Sequence, residues 1–108
     1  MIQEMTLVGI GSPIKVQIIP PDLWAQHVGE IAPAEPATIR GFADYSTKTI
    51  YVEDNTQAPS TLLHELIHLT SDFCGGELTE EQVEAVERGL WAVLGQNPHL
   101  LEYWTDKT

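Results

Sequence analysis

The amino-acid sequence predicts an α+β domain, with a small sheet in the first half of the chain and helices in the second. Short β-rich runs lie within residues 14–53, and two longer segments with helical periodicity lie within residues 57–96. A chain of 108 residues has room for one domain. We therefore expect residues 1–108 to form one unit, whose helices supply most of the buried area.

About three strands of a small antiparallel sheet are predicted in the first half of the chain. Residues 14–19 alternate between apolar and polar side chains, which is typical of a strand, and Pro20 and Pro21 end it. The β-rich runs 38–43 and 48–53 flank a short polar link. This arrangement favours a hairpin.

The segments around these strands are expected to be irregular or briefly helical. Residues 1–13 are mixed in character and end in a Gly-Ser-Pro cluster that breaks regular structure. Asp22 is placed to cap a short helix over residues 23–29. Residues 30–37 contain two prolines and are expected to form a surface loop.

Two longer helices and a short helical turn are predicted in the second half. The first helix spans about residues 57–73 and is ended by a pair of glycines. Thr79 and Gln82 form a capping-box pattern that opens the second helix, about residues 80–96. Residues 98–105 are expected to add a helical turn.

The charge and the cysteine content exclude several classes of function. Five Lys and Arg residues stand against 16 Asp and Glu residues, which gives a formal net charge of −11. Such a surface repels phosphate backbones and anionic lipid, so we expect neither nucleic-acid binding nor membrane binding. A single cysteine, Cys74, cannot form a disulfide within the chain. With no membrane-spanning run or secretory signal recognised, we expect a cytoplasmic protein.

The segment His64-Glu65-Leu66-Ile67-His68 carries the clearest chemical signal in the sequence. Residues four apart lie on one face of a helix, so both imidazoles can bind one Zn²⁺ ion while the backbone stays intact. Glu65 lies beside them, where its carboxylate can take a proton from a zinc-bound water. We therefore predict His64 and His68 as zinc ligands and Glu65 as the general base.

The competing interpretation of this segment is an ordinary amphipathic helix. An apolar stripe along the helix would face the core, and both histidines would project away from it, as solvated histidines commonly do. The residues of the stripe are Leu62, Leu63, Leu66, Leu69 and Phe73.

A catalytic zinc site needs a third protein ligand and an open position for water. The apolar face of the second predicted helix has Glu80 and Glu87 on or beside it, whereas Glu84 and Glu81 point largely away. Glu80 also stands in the first turn, close to the glycine pair that reverses the chain. We therefore rank Glu80 first, then Glu87, and then Glu84 and Glu81.

Several other polar residues are weaker candidates for a role at this site. Asp72 is a minor candidate ligand, and Cys74 is expected to be a small buried residue instead. His27 and His99 are expected on the surface. A tyrosine hydroxyl could stabilise an oxyanion. The candidates for that role are Tyr45, Tyr51 and Tyr103. For each of them, packing is the simpler explanation.

The motif and its flanks resemble a known class of enzymes. The segment 61–68, following a hairpin that ends at residues 49–52, is similar to a minimal zincin metallopeptidase. The nearest resemblance is to small gluzincin-like phage and prophage proteins related to the ImmA/IrrE group. It covers about residues 39–98, and the His-Glu-x-x-His part of it is the specific part.

The resemblance implies a fold, a ligand set and an activity. In that group a Glu on the helix after the motif is the third ligand, which implies a zinc site of His64, His68 and Glu80, with Glu65 as general base. It also implies that the strand near Ile50 borders the cleft and aligns an extended peptide by strand addition.

We therefore expect a zinc-dependent peptidase that acts on a protein or peptide substrate. A binding module that keeps the zincin scaffold without useful catalysis is the main alternative. Small size and an acidic surface favour that alternative. Zinc-dependent hydrolysis of a non-peptide amide is a weaker third candidate.

Overall fold

The computed structural model describes residues 1–9, 11–33 and 39–107, with the backbone alone at Lys107. Over these residues the chain forms four strands and four helices, which confirms the expected α+β class. In chain order the elements are β1 (Gln3–Leu7), β2 (Ile14–Ile19), α1 (Pro21–Ile31), β3 (Gly41–Asp44), β4 (Thr49–Glu53), α2 (Ala58–Phe73), α3 (Glu80–Gln96) and α4 (Pro98–Lys107).

The described strands form one mixed sheet in the order β1-β2-β4-β3. β1–β2 and β3–β4 are antiparallel pairs, whereas β2 and β4 run parallel. The prediction of about three antiparallel strands was therefore wrong in number and in direction. β1 was not predicted because four of its five residues are exposed. Without a buried face, its sequence need not alternate between apolar and polar residues. Parallel pairing needs a long crossover connection, and α1 and β3, which lie between β2 and β4 in the chain, provide it.

The predicted hairpin is confirmed, with Gly41 opposite Val52 and Asp44 opposite Thr49. Its first strand begins at Gly41, later than the predicted start at residue 38, which lies outside the described residues. β3 ends the strand order and is therefore an edge, whereas β4 is paired on both sides.

The two faces of the sheet pack against different helices. On one face, Val16, Ile50 and Val52 are buried in a cluster with Leu69 of α2. On the other face, Trp24 and Val28 of α1 pack against Ile19 in a second cluster. Each aliphatic side chain buried in this way contributes about 1.5–3 kcal/mol. The sheet therefore fixes α2 on one side and α1 on the other.

The apolar stripe of α2 sets the rotation of that helix about its axis. The leucines that pack on the sheet are Leu62, Leu66 and Leu69. Phe73 departs from the stripe, because it is 47% exposed and lies under the Lys48 ammonium, 4.2 Å from the ring centre. With the leucines on the sheet, His64 and His68 reach side chains of α3 instead.

The start of α1 differs from the prediction. Pro20 is the N-cap residue and Pro21 opens the helix, so Asp22 lies in the first turn and is not the cap. The fixed φ of proline suits the first helical position, where no backbone N–H is needed. α1 runs to Ile31, inside the predicted loop 30–37, and residues 34–38 of that loop lie outside the described residues.

The later helices agree closely with the prediction. α2 and α3 lie within one residue of their predicted bounds, and α4 runs beyond the predicted turn 98–105 to Lys107. The capping box is confirmed, since Thr79 Oγ1 accepts from the Gln82 backbone at 3.1 Å and Gln82 Oε1 accepts from the Thr79 backbone at 2.9 Å. No helix of the described residues has the length and apolar character to cross a membrane.

Candidate metal centre

The two histidines of the motif lie side by side on α2. Their ring centroids are 4.9 Å apart and the ring planes meet at 66°. Their side chains are 17% and 20% exposed, so both are enclosed by neighbours without being cut off from solvent. The spacing predicted from one helical turn is therefore present, and both rings turn toward α3.

Glu80 joins these histidines from the first residue of α3. Its Oε1 lies 2.7 Å from Nε2 of His64, and its Oε2 lies 2.8 Å from Nε2 of His68. Gly75, at a φ of +79°, lets the chain leave α2 in a left-handed turn, and the Thr79 capping box fixes where α3 begins. One ligand-type atom from each of the three side chains lies within 4.8 Å of the others.

The remaining glutamates of α3 separate into two groups. Oε1 of Glu87 lies 2.8 Å from Nδ1 of His64, the ring nitrogen that faces away from Glu80. Glu81 and Glu84 are exposed and contact neither histidine within the described part of the chain. Of the four candidate glutamates, Glu80 therefore contacts both histidines and Glu87 contacts His64.

Glu65 lines a cleft of about 400 Å³ between α2, α3 and the start of β3. His64, Glu80 and Glu87 line the same cleft. Gly41 brings β3 close to this wall, since a Cβ at Gly41 would lie 3.7 Å from Cγ of Glu65. The candidate base therefore shares one cleft with His64 and Glu80, two of the three candidate ligands.

The carboxylates around His64 change its acid–base behaviour. Burial opposes the charged ring, but the hydrogen bond with Glu87 and the negative charges of Glu80 and Glu65 outweigh burial. Together they raise the pKa of His64 above its usual value. Without a metal, both ring nitrogens face carboxylate oxygens, an arrangement that favours the imidazolium form.

Of the three candidate tyrosines, Tyr45 lies nearest this charge cluster. Burial raises the pKa of Tyr45, and the charges of Glu65, Asp72 and Glu80 raise it further. Tyr51 belongs to the α1 side of the sheet and stacks on Phe42, while Tyr103 is 53% exposed on α4. Tyr45, in the β3–β4 turn, is therefore the candidate tyrosine whose pKa responds to the charge of Glu65.

Several weaker predictions are corrected or confirmed. Cys74 is exposed and not buried, and it is the C-cap residue that follows the last residue of α2. His27 is half-buried, because α1 holds its ring 6.1 Å from that of Tyr51, so it is less exposed than expected. His99 is exposed as expected.

The peptide-aligning role predicted for the strand near Ile50 was wrong. β4 is paired with β2 and with β3, and Ile50 is completely buried, so no edge of β4 is open to a further strand. β3 is the edge beside the cleft. The error arose because the sequence gives no order of strands within a sheet.

Two residues of the cleft were missed by sequence reasoning. Arg40 lines the cleft, and its guanidinium lies 3.3 Å from Glu53. Gly41 follows it, and the segment is tied to α1 because Trp24 Nε1 donates to the carbonyl of Ile39 at 2.8 Å. The available signal was the glycine within a β-rich run, a position that often marks a close approach of backbone.

An apolar groove of about 520 Å³ lies on another face of α2. It is lined by Leu63, Ile67 and Leu78 and includes neither histidine of the motif. It is therefore separate from the candidate metal centre.

Comparison of the chain with protein-family models, with curated proteins and with solved structures found no match.

Proposed function

We propose that the protein is a zinc-dependent peptidase that hydrolyses peptide bonds in a protein substrate. The observation that carries the proposal is the convergence of His64, His68 and Glu80. One carboxylate contacts both Nε2 atoms, at 2.7 and 2.8 Å. This places two nitrogen donors and one oxygen donor around one point.

The donor set fits zinc. Two imidazoles and a carboxylate are a common ligand set of catalytic zinc sites, and three protein ligands leave a position for water. Glu80 is 59% exposed at its side chain, so the site opens to solvent on that side. When bound, zinc would polarise a carbonyl and make water a stronger nucleophile at neutral pH.

Two further residues near the three candidate ligands would supply the remaining chemistry. Glu65 takes a proton from the attacking water and returns it to the leaving amine nitrogen, as general acid–base catalysis requires. The hydroxyl of Tyr45 donates a hydrogen bond to the oxyanion that develops on the attacked carbonyl. The support for both roles is that Glu65 lines the cleft and that its charge acts on Tyr45.

The edge strand β3 is the natural place for an extended substrate. A peptide added beside Gly41–Asp44 would pair with the outer edge of β3, which has no neighbouring strand among the described residues and lies next to the wall that carries Glu65. The proposal includes a cytoplasmic setting, where the lone Cys74 would stay reduced.

The test is the pair of variants Glu65→Gln and Glu81→Gln. Glu65→Gln should bind zinc as the wild type does and lose cleavage of a denatured protein library. Glu81→Gln, on the exposed side of α3, should keep both properties. Cleavage that survives Glu65→Gln, or that a chelator does not stop, would refute the proposal. Zinc binding without cleavage in the wild type would leave the non-catalytic binding module as the function.

A further inference from the structure

His64 is held at both ring nitrogens, whereas His68 is held at one. Nε2 of His64 contacts Glu80 at 2.7 Å, and Nδ1 contacts Glu87 at 2.8 Å. Within the described residues, the hydrogen bond of His68 is the one from Nε2 to Glu80. The two imidazoles are therefore not equivalent, although the motif makes them look alike.

We propose that Glu87 is a positioning residue for the metal site. Its carboxylate accepts a hydrogen bond from the Nδ1–H of His64, so the Nε2 lone pair of that ring is left for the metal. The inference rests on the proposed function, because only a metal bound through Nε2 gives this hydrogen bond a role. A carboxylate that fixes the second nitrogen of a ligand histidine sets its tautomer and orientation.

The geometry separates this role from that of a ligand. The two nitrogens of an imidazole point to different sides of the ring, so one ion cannot accept both lone pairs. The Nε2 atoms of His64 and His68 both face Glu80, whereas Glu87 contacts the Nδ1 atom of His64. Glu87 therefore supports the ring from behind while Glu80 faces the metal position.

The placement of Glu87 in α3 suits a fixed support. Val83, which is completely buried, lies between Glu80 and Glu87 in α3, so this face of the helix is turned into the protein. Glu87 is 22% exposed at its side chain, against 59% for Glu80. The more enclosed carboxylate has less freedom to leave its partner, while the more exposed one can adjust to an ion.

The experiment is a zinc-affinity measurement by competition with a chromophoric chelator on four forms of the full chain. We expect Glu87→Ala to bind zinc about 10–100-fold more weakly than the wild type. Glu87→Gln keeps an acceptor oxygen and a similar shape, so its loss should be smaller. Glu84→Ala, an exposed position of the same helix, should match the wild type.

A spectroscopic measurement distinguishes support from ligation. Cobalt substituted for zinc should give the same four-coordinate visible spectrum in Glu87→Ala as in the wild type, because the number of ligands is unchanged. His64→Ala should change that spectrum.

The outcomes separate this inference from the function on which it rests. Equal zinc affinity of wild type, Glu87→Ala and Glu87→Gln would overturn the role of Glu87 and leave the zinc site in place. Loss of zinc in Glu87→Ala as complete as in His64→Ala, with an altered cobalt spectrum, would overturn it by making Glu87 a ligand. A folded wild type that binds no zinc would overturn the proposed function itself.

Discussion

A Cβ atom placed on Gly41 would lie 2.6 Å from Cγ2 of Thr61. The edge strand β3 and the motif helix α2 therefore touch at a point where only a residue without a side chain fits. The same Cβ would lie 3.1 Å from the carbonyl oxygen of Tyr51, which belongs to the backbone and cannot turn aside. The width of the cleft between β3 and Glu65 depends on this contact.

Gly41→Ala should therefore destabilise the protein. Forcing one methyl group into this contact is expected to cost about 1–3 kcal/mol of unfolding free energy, measured by urea denaturation. Gly89→Ala is the matched control, since a Cβ there meets no atom within 4 Å and Gly89 lies inside α3. The control should gain about 0.5–1 kcal/mol. A Gly41→Ala protein as stable as the wild type would show that β3 and α2 are not in contact.

Thr79→Ala should weaken both the fold and the metal site. It removes the side-chain acceptor of the capping box, which is worth about 1 kcal/mol, and Glu80 is the first residue after that cap. We expect lower stability in urea and weaker zinc binding together. Thr70→Ala, at an exposed position of α2, is the control. Unchanged zinc affinity in Thr79→Ala would mean that the cap does not position Glu80.

The raised pKa of His64 makes the metal-free protein pH-dependent. A pKa that is higher in the folded than in the unfolded state stabilises the fold fully below the unfolded value of about 6.5. That stabilisation is lost as the pH rises through the higher folded pKa. Urea midpoints of the chelator-treated wild type should therefore fall over this range relative to those of His64→Gln. His99→Gln, at an exposed histidine, should follow the wild type, and a flat difference for His64→Gln would contradict the assignment.

Tyr45→Phe should lower the rate of peptide hydrolysis. If the Tyr45 hydroxyl donates to the oxyanion, its removal should reduce kcat by about 10²–10³ with a smaller effect on KM. Tyr103→Phe, on exposed α4, should leave kcat unchanged. An equal kcat in Tyr45→Phe and the wild type would assign oxyanion stabilisation to another donor.

The sequence was sufficient to predict those features that depend on local spacing. The motif helix, the glycine turn and the capping box at Thr79 are encoded within a few residues of each other, and α2 and α3 lie where they were predicted. The proximity of Glu80 to both histidines also followed from local geometry, because a short turn after α2 leads directly into the first residue of α3.

Features that depend on contacts distant in sequence could not be predicted in this way. β1 has little buried surface, so its own sequence does not mark it as a strand. It is identified as one by its pairing with β2. The parallel pairing of β2 with β4 depends on how α1 crosses the sheet. Likewise, the burial of His27 against Tyr51 and the approach of Gly41 to Thr61 need two elements to be placed first.

The zinc content of purified protein, measured by elemental analysis after zinc loading and removal of excess metal, tests the central claim most directly. The account predicts one zinc ion per chain for the wild type and for Glu65→Gln. It predicts none retained by His64→Ala or His68→Ala, whose remaining donors cannot complete the site. A folded wild type that retains no zinc, or histidine variants that retain as much as the wild type, would contradict it.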